Sequence, residues 1–149
     1  RNAIELAQVI GVREPKVAIL AAVETVSPTM TATLDAAALC KMADRGQITG
    51  GLLDGPLAFD NAVSIAAART KGIVSEVAGQ ADILAVPDLE SGNMLAKQLI
   101  FLGGAASAGI VLGAKVPVIL TSRADSRDTR IASCAIALML AHHYRLSPP

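Results

Sequence analysis

A chain of 149 residues is long enough to bury a substantial core and short enough to form one domain. Its 13 basic and 13 acidic side chains cancel, which excludes a general electrostatic affinity for nucleic acid or an anionic membrane surface. Hydrophobic residues make up 52% of it, in Ala, Ile, Leu and Val rather than aromatics, a composition suited to helices packed tightly on a sheet. Cys40 and Cys134 lie far apart and fit no metal spacing. Both fall in apolar helical patterns and read as reduced, buried thiols of a cytoplasmic protein. No charged-then-apolar leader opens the sequence.

Apolar residues at helical spacing predict a short helix over residues 2–10, stopped by Gly11. The continuous apolar run 16–23 reads as a strand covered on both faces. A loop through Ser27-Pro28 leads into a helix over 30–44, with Thr29 or Ser27 as its cap and Gly46 as its end. Residues 48–54 predict a second strand, and Asp54-Gly55-Pro56 a turn. One helix is expected over 59–70, irregular chain over 77–81, and a third strand over 82–86 closed by Pro87. Ser91 is placed to cap a helix over 92–102 that Gly103-Gly104 ends.

Residues 99–120 are uncharged except for Lys115 but are broken by glycines and Pro117. They read as a helix end and two buried strands, 107–112 and 116–120, joined by a Gly113-Ala114-Lys115 turn, rather than as a membrane span. A last helix over 126–144 and a tail over 146–149 complete the chain. Strands alternate with helices, so the fold expected is α/β: a layered, mixed, mostly parallel sheet flanked by helices, with a hairpin near the end.

Three strand-to-helix turns carry polar clusters, and such turns converge backbone N–H groups on an anion or a reacting carbonyl. At the last one, Ser122 can donate a hydrogen bond, Arg123 can neutralise a phosphate, and Asp125 or Asp128 can take a proton. Asp125 with Asp128 also has the spacing of a helix N-cap and capping box. In the second, Asp88 and Glu90 can bind a cation or a pantetheine-like group, and Gly92-Asn93 a phosphate or carbonyl oxygen; Ser91 with solvated acids around it is the structural alternative. In the third, Asp60 and Asn61 either cap their helix or bind substrate. Gly109 to Lys115 only echoes a phosphate-binding loop, because its glycines are too close and no hydroxyl residue follows the lysine. His142 and His143, adjacent near a helix end, suit the helix dipole rather than a metal.

These clusters, in this order, resemble the phosphate acetyltransferase/phosphate butyryltransferase family. The resemblance runs through Asp54-Gly55-Pro56-Leu57 with Asp60-Asn61-Ala62, Val77-Ala78-Gly79 with Ala81-Asp82-Ile83-Leu84, Pro87-Asp88 with Glu90 and Gly92-Asn93, and Thr121 to Ser126. It covers the chain from Asp35 onward and leans toward the butyryl branch.

The resemblance implies interconversion of acyl-CoA plus phosphate with acyl phosphate plus CoA. It also implies two α/β domains resembling isocitrate and isopropylmalate dehydrogenases, with the active site between them. Residues from about 15 to about 115 would then form the second domain, and residues 116–149 a strand-helix return segment, with the first domain largely absent from this sequence. Ser122 and Arg123 match the family's Ser-Arg pair. A gapless match sets Thr129 where the acetyl branch has its catalytic aspartate, which leaves Asp125 as first choice of base and Asp128 as second. Asp88, Glu90, Gly92, Asn93, Asp60 and Asn61 would contact substrate.

No cysteine lies in the three turns, which favours direct transfer in a ternary complex. No metal or organic cofactor is required, CoA being a substrate, and the resemblance implies a homodimer or larger assembly. The alternative is a non-catalytic acyl-CoA-sensing domain of a larger enzyme, such as a malic enzyme.

Overall fold

In the computed structural model, which describes residues 1–147, the centre is β1 (Lys16–Leu20). Its side chains alternate between two cores, as a strand covered on both faces requires. Val17 and Ile19 pack with Ile4, Ala36 and Ile48 on one side, and Ala18 and Leu20 with Leu57, Ala62, Ala68 and Val77 on the other. Both neighbours, β2 (Leu52–Leu57) and β3 (Ile83–Ala85), run parallel to β1, giving the order β2-β1-β3. Helices α1 (Asn2–Val9) and α2 (Thr31–Asp44) cover the first core. Helices α3 (Phe59–Val63) and α4 (Ile65–Thr70) cover the second.

The expected turn at Asp54-Gly55-Pro56 lies inside β2 instead. Ala18 pairs with Asp54 and Leu20 with Leu57, so the chain is bulged at Gly55-Pro56. A bulge is where a strand tolerates proline, which has no N–H to give the ladder. Glycine is required there because a Cβ on Gly55 would lie 2.7 Å from the Ile19 carbonyl oxygen.

The single helix expected over 59–70 is broken at Ser64, which is extended and whose Oγ accepts the Ala67 N–H at 3.3 Å. Neither Thr29 nor Ser27 caps α2; Thr33 Oγ1, inside the helix, donates to the Met30 carbonyl and accepts the Ser27 N–H.

Beyond β3 the chain forms α5 (Leu89–Phe101), the antiparallel pair β4 (Ile110–Val111) and β5 (Val118–Ile119), and α6 (Arg127–Leu146). The hairpin is a separate two-stranded sheet, so the single mixed sheet expected from the sequence is two sheets. Its strands were expected to be buried, yet Val111, Val118 and Ile119 are exposed. No residue of α5 is buried, and α6 buries only the stripe Ser133, Ala137 and Leu140. Ser133 Oγ accepts the Gly109 N–H at 2.9 Å and donates to the Thr129 carbonyl at 2.7 Å, bolting the hairpin to α6.

His143 Nε2 reaches Glu5 Oε1 at 3.3 Å, tying the far end of α6 to α1. Cys134 is exposed on α6 and Cys40 only half-buried, so neither is the fully buried thiol expected. Of the expected tail, Leu146 belongs to α6, and residues 148–149 lie outside the described residues.

Candidate active site

The loop between β5 and α6 folds on itself. The Ser122 N–H donates to Asp125 Oδ2 at 2.5 Å, and Ser122 Oγ accepts the Ala124 N–H at 3.4 Å, which leaves the hydroxyl proton available. Asp125 therefore closes a turn and does not cap α6. Ser126 is the cap, its Oγ accepting the Thr129 N–H at 3.1 Å. The capping box expected between Asp125 and Asp128 is thus not formed; an aspartate three residues after a free N–H makes a turn as readily as a cap.

Across the gap, α5 begins at Asp88, whose Oδ1 accepts the Ser91 N–H at 2.7 Å. Asp88, not Ser91, is the N-cap. That bond stabilises the ionised form and holds the Asp88 carboxyl below the usual carboxylate range. Gly92 is needed for packing, since a Cβ there would lie 2.8 Å from Val86 Cγ2.

The two turns meet at one cavity. Ser122, Asp125 and Asn93 line a space of about 280 Å³ together with Lys97, Ser107 and Thr129. Asp125, Ser107 and Thr129 also line an adjoining cavity of about 570 Å³, and Asp128 lines that second cavity. Hydroxyls connect these walls: Thr129 Oγ1 lies 3.2 Å from Ser107 Oγ and 3.1 Å from Ser126 Oγ. Arg123 is exposed next to Ser122 and forms no ion pair among the described residues. Arg123 lines neither cavity, so the groups around the opening are a hydroxyl donor, an amide, a carboxylate and one lysine, a set that can hold an anionic group and move a proton beside it.

The other expected site residues stand apart from this cavity. Glu90 is exposed in the first turn of α5. Asp60 is exposed and pairs with Lys71 at 3.4 Å. Asn61 is fully buried, donates from Nδ2 to Glu24 Oε2 at 3.3 Å and accepts the Gly79 N–H on its carbonyl at 2.7 Å. Its Oδ1 has no partner among the described residues. Asp60 and Asn61 thus belong to a cluster with Glu24 and Lys71, and neither caps α3.

Lys97 and Ser107 were not singled out from the sequence as site residues, and Thr129 was noted only as standing where the acetyl branch has its catalytic aspartate. Lys97 had a usable signal: it follows Asn93 by four residues on a helix and so shares its face. Ser107 had none, being one small residue in an apolar run. Among the described residues no group of three His, Cys, Asp or Glu side chains is placed to hold a metal ion, and no helix is long and apolar enough to cross a membrane.

A parallel sheet flanked by helices, with the Ser122–Asp125 turn and the Asn93–Lys97 face of α5 opening on a shared cavity, defines an α/β protein with a polar cavity beside a strand-to-helix turn. The family model described as "Phosphate acetyl/butaryl transferase" matches residues 1–138, and the chain belongs to that family. A phosphate acetyltransferase of Rhizobium meliloti is 65% identical over 145 residues, 97% of this chain and 46% of that protein. A phosphate butyryltransferase of Clostridium acetobutylicum is 49% identical over 140 residues, 94% of this chain and 46% of that protein. Of these two relatives the more similar carries the acetyl name, so the identities lend no support to the lean toward the butyryl branch.

Among solved structures, a branched-chain phosphotransacylase from Enterococcus faecalis V583 superposes with a TM-score of 0.83 at 38% identity, covering 95% of this chain and 50% of that one. The chain spans about half the length of the curated relatives it matches.

Proposed function

We propose that the whole protein transfers an acetyl or butyryl group between CoA and inorganic phosphate, by direct transfer in a ternary complex. The observation that carries this reading is the convergence of Ser122, Asp125 and Asn93 on one cavity from two separate strand-to-helix turns. The Asp125 carboxylate takes the proton of the CoA thiol, and the thiolate sulfur attacks the carbonyl carbon of the acyl phosphate. The C–S bond forms, the carbonyl oxygen takes up negative charge, and collapse breaks the C–O bond to release phosphate. The reverse sequence makes acyl phosphate.

The Ser122 hydroxyl donates to the developing oxyanion; such a donor contributes about 3 kcal/mol in comparable sites. Arg123 holds the phosphate through charge-assisted bonds, with Lys97 on the facing helix adding a second positive charge. Asp128, at the rim of the larger cavity, is the second choice of base.

In this reading the chain supplies the second domain and the return segment of a fold like that of isocitrate dehydrogenase. The exposed apolar surfaces of α5, α6 and the hairpin support a further body of protein packing against them. The protein acts in the cytoplasm as a homodimer or larger assembly, with CoA and phosphate as its ligands and no further cofactor. The test is phosphate-dependent release of CoA from acetyl-CoA and butyryl-CoA by the full-length protein, abolished by Arg123→Ala. Saturable CoA binding without turnover would replace the enzyme with an acyl-CoA sensor.

A further inference from the structure

We propose that Ser107 is a hydrogen-bond donor to the phosphate group in the reaction cavity, and that Thr129 positions it by passing on the polarity of the α6 N-terminus. This rests on the acyl-transfer reading above for the identity of the anion. Ser107 lines both the cavity that holds Ser122 and Lys97 and the larger one beside it, and so does Thr129.

The support is a chain of hydrogen bonds that starts on the backbone of α6 and ends at Ser107. The Thr129 N–H donates to Ser126 Oγ at 3.1 Å, Ser126 Oγ lies 3.1 Å from Thr129 Oγ1, and Thr129 Oγ1 lies 3.2 Å from Ser107 Oγ. Each hydroxyl has one proton to give and two lone pairs to receive with. Two links join the three hydroxyls, so one proton is left over. When Ser126 donates to Thr129 and Thr129 to Ser107, the spare proton stands on Ser107, at the cavity wall. An anion in the cavity selects this order, because a hydroxyl that accepts a bond becomes a stronger donor in the next. The first donor is an N–H of the first turn of α6, at the positive end of the helix dipole.

The smaller cavity needs that donor. Asp125 brings a carboxylate to its wall, and among the described residues Lys97 is the one cation on the lining. An anion beside Asp125 therefore relies on neutral donors as well: Asn93, Ser122 and Ser107. Ser107 comes from the chain between α5 and β4, apart from both strand-to-helix turns. Its place is fixed two residues on, where the Gly109 N–H donates to Ser133 Oγ at 2.9 Å. Ser133 Oγ in turn donates to the Thr129 carbonyl at 2.7 Å, so one serine holds both Thr129 and the Ser107 segment.

The test measures the Kd of inorganic phosphate by calorimetry, and the KM for phosphate with saturating acetyl-CoA, in the full-length protein. Ser107→Ala should raise both about tenfold, the loss of one bond to a charged group, with kcat within about threefold of wild type. Thr129→Val, similar in size but without the hydroxyl, should raise them about threefold, and Thr129→Ser should restore them. In the Ser107→Ala background Thr129→Val should add nothing, since the chain acts only through Ser107. An unchanged Kd in Ser107→Ala, an equal effect of Thr129→Val in both backgrounds, or wild-type protein that binds no phosphate overturns the proposal.

If circular dichroism shows that Thr129→Val does not fold, Ser107→Ala decides alone. Wild-type protein that binds phosphate but releases CoA from no acyl-CoA defeats the transfer reading by itself, and the Kd values then decide Ser107 separately.

Discussion

The Ser122 backbone N–H points at the Asp125 carboxylate, 2.5 Å from Oδ2, so a hydroxyl donor and an acid are held in one rigid turn at the cavity wall. One carboxylate oxygen is committed to the turn and the other is left for chemistry. Asp125→Asn keeps an oxygen that can accept the Ser122 N–H but cannot take up a proton. Its kcat should fall roughly 10²–10⁴-fold, the usual contribution of a general base, with the fold unchanged by circular dichroism. Asp128→Asn should stay close to wild type. A reversed order would move the base to Asp128.

Ser122→Ala removes the hydroxyl while keeping the N–H that closes the turn. The expected result is a loss of about 10²–10³-fold in kcat, as for removal of one oxyanion donor, with little change in KM. Arg123→Lys keeps the charge but loses the planar fork, so KM for phosphate should rise more than kcat falls. Stopped assays varying phosphate at saturating acyl-CoA separate the two effects. A purely structural role for Ser122 would instead appear as lost stability.

Asp88, not Ser91, starts α5, and the two make opposite predictions. Asp88→Ala should lower the melting temperature at neutral pH, whereas Ser91→Ala should leave it nearly unchanged. The bond from the Ser91 N–H depresses the Asp88 carboxyl in the folded protein below its ordinary value of 3.8. A group depressed on folding stabilises the native state above its unfolded pKa and loses that effect as pH falls through the folded value. The gap between wild type and Asp88→Ala should therefore be full at neutral pH and shrink once pH drops below about 3.8. A gap that widens on acidification would show that some other interaction is involved.

Local pattern reached as far as local physics decides. The run Lys16–Leu20 is continuously apolar because β1 lies between two cores, and nothing distant is needed to see that. Asp54-Gly55-Pro56 misled because a bulge against β1 and a turn demand the same residues; only the partner strand distinguishes them. Asp125 and Ser126 both match a cap, and the competition was settled by which N–H groups each could reach. The site was visible as three separate turns, and the structure joins only two at the Ser122 cavity. Asp60 and Asn61 belong instead with Glu24 and Lys71, residues far off in sequence whose pairing no periodicity encodes.

The two thiols should differ in reactivity. Burial raises the Cys40 thiol to about 11, with the Asp54 and Asp44 carboxylates adding to the rise, and its S–H faces the Gly55 carbonyl at 3.6 Å. Only the thiolate alkylates, so at pH 8 iodoacetamide should modify Cys40 slowly, and the rate should climb tenfold per pH unit up to about 11. Cys134, exposed on α6, should react first in this chain. Peptide mass spectrometry after timed quenching reads both sites. Fast, pH-independent labelling of Cys40 would show that its pocket opens.

Ser133 is the residue through which stability and site geometry are coupled. It is fully buried, and its hydroxyl joins the Gly109 N–H, at the foot of β4, to the Thr129 carbonyl in the first turn of α6. The residue at Gly109 cannot substitute by packing, because a Cβ there would fall 2.0 Å from the Leu120 carbonyl oxygen. Ser133→Ala leaves the Gly109 donor without its partner, a cost of about 1–3 kcal/mol. The urea midpoint should drop accordingly with an unchanged slope, since little surface area is altered. Because β5 leads directly into Ser122, loosening the hairpin also loosens the hydroxyl proposed as oxyanion donor, so kcat should fall along with stability. A lowered midpoint with full kcat would mean that the turn is held by the Ser122–Asp125 bond alone.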